Sequence, residues 1–273
     1  MLLTHKFTDF QLNLTLELFL RILSDFFRKR LVSVVLYGSV VFDDLAPGYG
    51  DLDFLVVVDD NLSDETCRQL VEIRKPLRSG DYGILAKMLE GAFLPRPMLN
   101  PIKTGKAFWW GTSGERHWES NQLGWFVLYV IRERGIIIWG EDIQHEIPVA
   151  DREKLLKDVW LFCRNMRRYP QVSGSYSVDW LLTAARFLLW LKENRLSSKS
   201  ESADWGYLHA RGTWREFLPR AKQIRLNPAL ADSPDLKQWF DELNEFIVEA
   251  CEEIENELAL QGFQYSATSD NSR

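Results

Sequence analysis

The chain has 273 residues, of which 46% are hydrophobic, and its formal net charge is −6 at pH 7. This length allows one large domain or two smaller ones. The acidic balance argues against a nonspecific nucleic-acid binder, since neutralising phosphates needs a surplus of Lys and Arg.

The first third of the chain alternates between helical and strand patterns. Helical patterns cover residues 7–30 and 63–75, and strand patterns cover residues 31–36, 52–58 and 84–94. Ser63 is a suitable N-cap for the second helix, and Pro76 is expected to end it. This order predicts an α/β unit with a small mixed sheet.

The rest of the chain is predicted to be a connection followed by helices. Residues 97–120 contain Gly, Pro and several Trp residues and are expected to form a loop or short irregular helices. Amphipathic patterns then predict helices at residues 123–134, 152–167, 178–193, 202–209, 214–223 and 234–260. The predicted fold is therefore α+β. It has an α/β domain at residues 1–121, a helical bundle at residues 122–263 and a disordered tail at residues 264–273.

Two carboxylates stand at the start of the second predicted strand, in the stretch LYGSVVFDDLAPGYGDLDFLVVV. Residues two apart in a strand point to the same face, so Asp51 and Asp53 project together while Leu52 and Phe54 point to the other face. Like charges side by side repel each other, and a divalent cation suits an all-oxygen site. The alternative is a plain turn followed by a strand that begins at the solvent edge.

The pair Gly38-Ser39, eleven residues and then Asp51-Leu52-Asp53 resembles the signature of the DNA polymerase beta-like nucleotidyltransferase superfamily. The resemblance implies that Gly38 and Ser39 hold a triphosphate and that Asp51 and Asp53 hold Mg²⁺. A glycine lets the backbone approach phosphate closely, and a helix N-terminus favours anions. Two Mg²⁺ ions about 3.5–4 Å apart and ATP as co-substrate are expected on this basis.

Sites of this kind usually use a third carboxylate on the neighbouring strand. Glu90 is the only acid within residues 84–94. It is expected to be a catalytic residue, either as a metal ligand or as the general base that removes a proton from an acceptor hydroxyl. The alternative is a glutamate at the strand edge that faces water.

The second half carries a further resemblance in VLYVIRERGIIIWGEDI and WLLTAARFLLWLKENRLSSKSESADW. Both segments look like the helical domain of aminoglycoside adenylyltransferases of the streptomycin and spectinomycin type, and the similarity spans about residues 31–228. It implies that Arg186 and Lys199 bind the nucleotide phosphates. From the residues alone, Arg186 needs an anionic partner if it faces inward, and Asp179 would also serve. On composition Lys199 is an ordinary solvated loop lysine.

The sequence departs from this family at two positions. Gly50 stands where the family commonly has Ser, and Tyr176 lies near the position of an acidic residue with which the streptomycin-modifying members bind the drug. Asp179 is a nearby candidate for that acceptor contact. In FWWGTSGERHWES, Trp110 is the second candidate for acceptor binding, because aromatic faces stack on sugars and attract cations. Packing between the predicted domains is the alternative for these Trp residues.

The expected function is Mg²⁺-dependent transfer of AMP from ATP to a hydroxyl of a small cationic acceptor such as an aminoglycoside. Antibiotic resistance would be the corresponding role. Modification of a protein or tRNA, and nucleotide binding without turnover, remain the alternatives. With three separated cysteines and no long apolar segment, a monomer in the cytoplasm, without membrane or nucleic-acid partners, is expected, and a dimer stays open.

Overall fold

The computed structural model describes residues 2–168 and 174–263. The chain divides into two compact units, Met1–Val149 and Ala150–Arg273. The expected tail at residues 264–273 lies outside the described residues. Across the described ranges, no helix is long and apolar enough to cross a membrane.

The first unit is built on a six-stranded mixed sheet, which confirms the predicted fold class. Its strands are β1 Leu31–Leu36, β2 Leu52–Val58, β3 Leu89–Pro95, β4 Thr104–Gly111, β5 Gly114–Ser120 and β6 Ile136–Gly140. They are arranged in the order β5-β4-β3-β2-β1-β6, and only β2 and β3 are parallel. The two central strands that carry the predicted carboxylates are therefore direct neighbours.

Helices cover both faces of this sheet. The helices of the first unit are α1 Phe10–Phe27, α2 Asp64–Ser79, α3 Ile84–Lys87 and α4 Trp125–Arg134. Buried side chains of α1 and α2 share a core with Phe54 of β2, whereas those of α4 share a separate core with Leu55. Successive residues of β2 thus alternate between an α1/α2 face and an α4 face.

Two predicted boundaries in the first unit are wrong. The helix that was expected to stop at Pro76 continues to Ser79 and is closed by Gly80 at φ 94°, a conformation that glycine adopts without strain. Residues 84–87 form the short helix α3 instead of the first half of a strand. The helix begins after Gly83, which has φ 89°, and it buries Leu85 and Ala86 in the core shared with α1 and α2 while Ile84 is exposed. The strand therefore starts only at Leu89.

Residues 97–120, expected to form a loop or short irregular helices, contain most of a 3₁₀ helix, Arg96–Leu99, followed by a β-hairpin that begins at Thr104. Strands β4 and β5 pair antiparallel across it, and β4 extends the sheet from β3. The run of apolar residues at 107–110 hides the alternation that marks a strand, because both faces of β4 are covered.

Strand β6 was not predicted from the sequence. It pairs with β1, so the chain is still part of the first unit beyond residue 122. The observed division accordingly falls after Val149 rather than at residues 121/122.

The second unit consists of helices in the part of the chain that the structure describes, as expected. They are α5 Arg152–Arg168, α6 Ser175–Glu193, α7 Lys199–His209, α8 Leu218–Leu226 and α9 Lys237–Leu260. Helix α6 packs against α7, α8 and α9. Its apolar side chains at 181, 182, 188 and 189 are fully buried, so α6 forms the centre of the bundle and its polar side chains are placed by the surrounding helices.

Candidate active site

Asp53 lies within β2, whereas Asp51 directly precedes the strand, which begins at Leu52. Leu52 and Phe54 are fully buried, whereas Asp51 and Asp53 are half-buried. By alternation along β2, Asp53 lies on the α4 side of the sheet together with Leu55. The two aspartate side chains are therefore partly outside the apolar core, whereas Leu52, which lies between them in the chain, is inside it.

Glu90 lies directly beside Asp53. The parallel pairing of β2 and β3 sets Asp53 opposite Glu90, and neighbouring strands are about 4.8 Å apart. Residues that pair across strands point to the same face, so both carboxylates are on the α4 side. The strand register thus brings together two of the acids that the sequence analysis predicts to be catalytic, which are 37 residues apart in the chain.

The Gly38-Ser39 turn passes against the Asp53 carboxylate. Gly38 has φ +73°, and a Cβ at this position would lie 1.9 Å from Asp53 Oδ2. The backbone N–H of Tyr37 donates to the Asp53 carbonyl at 3.1 Å. Only glycine fits here, because any side chain would overlap the carboxylate.

Ser39 is half-buried and lies in a 3₁₀ helix, Gly38–Phe42. The Ser39 carbonyl accepts the N–H of Asp44 at 3.1 Å. The turn therefore begins one short 3₁₀ helix, and the backbone of its first residue, Gly38, lies close to the Asp53 carboxylate.

The pKa of Tyr37 is affected by the negative charges at this edge of the sheet. Burial is the largest cause that raises the pKa of Tyr37 well above its usual value near 10, and the negative charges of Asp53, Glu90 and Asp51 raise it further. The three carboxylates are thus all close enough to this one buried phenol to raise its pKa. Such a concentration of negative charge favours a bound cation.

The carboxylates meet the chemical requirement for Mg²⁺ in part. All of their donor atoms are oxygens, which hard cations prefer. Among the described residues, however, no three His, Cys, Asp or Glu side chains converge closely enough to hold a metal ion by themselves. Asp51, Asp53 and Glu90 could contribute ligands, and a full coordination shell would need oxygens from a nucleotide or water.

Glu90 is hydrogen-bonded, in contrast to the alternative of a glutamate that faces only water. Its Oε2 accepts the backbone N–H of Thr112 at 2.6 Å and the Thr112 hydroxyl at 2.5 Å. Thr112 was missed by the sequence reading because it belongs to the hairpin that was expected to be a loop. No local sequence signal connects residue 112 with residue 90.

The prediction of Trp110 as an acceptor contact is wrong. Trp110 is 0% exposed and packs against Phe19, Phe54 and Phe93 on the α1/α2 face, opposite to the carboxylates. The neighbouring Trp109 instead belongs to the α4 face. The Trp109 ring stacks on the Trp118 ring with centroids 5.1 Å apart. The alternation of side chains along β4 therefore determines which tryptophan lies on the carboxylate face.

The three site residues predicted in the second unit lie on helices α6 and α7. Asp179 and Arg186 are seven residues apart on α6 and therefore lie on one face, about 10 Å apart along the axis. Lys199 begins α7, and its Nζ lies 2.5 Å from Asp179 Oδ1. Lys199 is thus not the freely solvated lysine that composition suggests, and it is paired with the residue that the sequence analysis predicts to bind the acceptor.

Two protein families match the chain. The nucleotidyltransferase domain matches residues 16–85, and the C-terminal domain of aminoglycoside adenylyltransferase matches residues 161–253. A comparison with curated proteins gives no match.

Among solved structures, the fold is similar to that of spectinomycin adenyltransferase AAD(9) from Enterococcus faecialis, which was crystallised with ATP and spectinomycin. The TM-score is 0.71 at 18% identity, over 88% of this chain and 98% of that one. At this identity the similarity establishes the fold.

Proposed function

Because the chain is an aminoglycoside adenylyltransferase-like nucleotidyltransferase, we propose that it transfers AMP from ATP to a hydroxyl of a small cationic acceptor of the aminoglycoside class. Pyrophosphate is the second product. The observation that carries the proposal is the strand register that sets Glu90 beside Asp53, with the Gly38 turn against the same carboxylate. This arrangement supports the proposal, because it sets carboxylate oxygens, which suit a metal ion or a base, next to a glycine backbone that phosphate could approach.

Asp51 and Asp53 hold Mg²⁺ in this proposal, and of the two roles open to Glu90, metal ligand or base, the proposal takes that of the base. The ion supplies Lewis-acid stabilisation of negative charge on the phosphate oxygens. Gly38 and Ser39 bind the triphosphate in this proposal, since a glycine lets the backbone approach phosphate closely. Two ions are expected from the chemistry of nucleotidyl transfer.

Glu90 acts as the general base. It accepts the proton of the acceptor hydroxyl, whose oxygen then attacks the α-phosphorus of ATP. The bond between the α-phosphorus and its oxygen to the β-phosphorus breaks, and pyrophosphate leaves with the bonding electron pair. Because both Glu90 and Asp53 face the α4 side of the sheet, the proton acceptor and the metal ligands are adjacent.

In the second unit, Arg186 and Lys199 bind phosphate oxygens of the nucleotide, and Asp179 binds an amino group of the acceptor. The Lys199–Asp179 ion pair supports this assignment, because it keeps a cation and an anion together at a half-buried place, where a ligand can still reach them. Lys199 retains donors for phosphate, since an ammonium group has three N–H bonds. Trp110 has no part in acceptor binding.

The test is incubation of the full-length protein with ATP, Mg²⁺ and a panel of aminoglycosides that includes streptomycin and spectinomycin. Mass spectrometry then detects an acceptor that carries AMP. We expect an adduct with the wild type and its loss in Glu90→Gln, whose amide cannot accept the proton. Labelled AMP on a protein or tRNA would show that the acceptor is a macromolecule and not a small molecule. ATP binding without any adduct would contradict nucleotidyl transfer.

A further inference from the structure

The tip of the β4–β5 hairpin reaches the candidate base. Strand β4 ends at Gly111 and β5 begins at Gly114, so Thr112 and Ser113 form the tip. Two donors of Thr112, its N–H and its hydroxyl, converge on one oxygen of Glu90. Within the described residues, both hydrogen bonds fall on Oε2, so Oε1 is the oxygen left for a ligand.

This hairpin tip is anchored from helix α2. The guanidinium of Arg78 donates to the Thr112 carbonyl at 2.7 Å. Arg74 donates to the Gly111 carbonyl at 3.1 Å and forms an ion pair with Glu115 at 2.9 Å. The Arg74 side chain is only 6% exposed, and a charge that is buried with partners holds a defined position.

The last residue of β4 lies close to a ring of its own strand, since a Cβ at Gly111 would lie 2.3 Å from Nε1 of Trp109. The turn that offers Thr112 to Glu90 is held to α2 by Arg74 and Arg78. A donor held in this way loses little entropy when it makes its hydrogen bond.

We propose that Thr112 is a positioning residue for Glu90. Its two donors fix the carboxylate so that Oε1 points to the acceptor hydroxyl, which places the base before the substrate arrives. The inference rests on the proposed function of Glu90 in nucleotidyl transfer. Thr112 does not touch the reacting atoms, so its removal should slow the chemical step more than it weakens substrate binding.

The test compares Thr112→Val, which keeps the shape and loses the hydroxyl, with Thr112→Ser, which keeps the hydroxyl. Ser113→Ala is the matched control, since Ser113 lies in the same tip and its hydroxyl accepts from Arg116 instead of contacting Glu90. Thr112 is exposed, so these variants should fold normally. Melting temperatures are measured first.

We expect Thr112→Val to lower kcat about tenfold, as for loss of one hydrogen bond to a charged group, with KM for ATP and acceptor unchanged. Thr112→Ser and Ser113→Ala should keep the wild-type kcat. An unchanged kcat in Thr112→Val, or an equal loss in Ser113→Ala, would overturn the inference. So would a loss in Thr112→Val that appears in KM alone.

A second measurement separates this inference from the proposed function. The amide proton of Thr112 is followed by NMR in the wild type and in Glu90→Ala, where the acceptor oxygen is gone. We expect its resonance to move upfield when Glu90 is removed. An unchanged resonance overturns the contact whether or not an acceptor has been found, whereas absence of transfer by the wild type contradicts only the proposed function.

Discussion

The two groups of candidate site residues differ in what holds them. In the first unit, strand register sets Asp53 beside Glu90, and a glycine turn packs against the Asp53 carboxylate. In the second unit, Asp179 and Lys199 meet through side chains of two different helices. A strand pair fixes its side chains through the backbone, whereas a lysine reaches its partner through four rotatable bonds. The first group is thus preorganised, and the second can adjust to a ligand.

The largest expected effect is that of Asp53→Asn, which removes a charge from the rigid group without changing its shape. Transfer should slow on the order of a thousandfold, because a metal ligand contributes several kcal/mol to the transition state. The free energy of unfolding should not fall, since repulsion with the neighbouring Glu90 decreases. Single-turnover rates and urea unfolding measure the two quantities.

Asp59→Asn is the matched control for that change. Asp59 is exposed just beyond the opposite end of β2, so the same substitution there should leave the transfer rate unchanged. A similar loss in both variants would show that the effect comes from the charge of the sheet as a whole and not from the position of Asp53.

Gly38→Ala should have the next largest effect. The added Cβ would lie 1.9 Å from Asp53 Oδ2, and the backbone has φ +73°. The strain should cost about 2 kcal/mol, and displacement of Asp53 should slow transfer roughly a hundredfold. Chemical unfolding and kcat are the measurements.

Alanine variants at two other glycines separate the effect of backbone strain from that of a steric clash with Asp53. Gly80 has φ +94° and Gly50 has no positive φ, and a Cβ at either position meets no atom within 4 Å. Gly80→Ala should therefore destabilise the protein without slowing transfer, and Gly50→Ala should do neither. Equal kcat values in Gly38→Ala and Gly80→Ala would contradict the close approach of the turn to Asp53.

Lys199→Met should have a smaller effect, in the adjustable group. Loss of one charged donor to phosphate should raise KM for ATP about tenfold while kcat changes little. Lys222→Met is the control, because Lys222 forms an ion pair of the same length, 2.5 Å, with Asp204 in the same unit. If both variants raise KM for ATP equally, Lys199 has no specific part in nucleotide binding.

Trp110→Phe should have the smallest effect on transfer. Trp110 fills the core on the α1/α2 face, so a smaller ring should cost roughly 2 kcal/mol of unfolding free energy and leave KM for the acceptor unchanged. Trp109→Phe is the companion variant on the carboxylate face. A raised acceptor KM in Trp110→Phe, with unchanged stability, would restore the prediction made from sequence.

The sequence predicts best where a local period determines the geometry. The alternation around Asp51 and Asp53 places both carboxylates on one face, and the structure has them half-buried beside buried neighbours. The helical periods of the second half likewise predict a bundle. In both cases the relevant neighbours are two to four residues away, so the pattern can be seen in the sequence.

Features that depend on pairing between distant segments could not be predicted in this way. Strand β6 joins β1 from more than a hundred residues away, and Thr112 reaches Glu90 from the neighbouring strand's hairpin. Trp110 was assigned to the wrong face because β4 was not recognised as a strand. These errors share one cause, since register between strands is set by tertiary packing and not by local sequence.

The central claim is that Asp53 holds the metal that carries ATP. Calorimetric titration of ATP into the wild type and Asp53→Asn, each with and without Mg²⁺, tests this claim without any acceptor. We predict that Mg²⁺ strengthens ATP binding by the wild type and that Asp53→Asn loses this gain. An undiminished gain in Asp53→Asn would contradict the account.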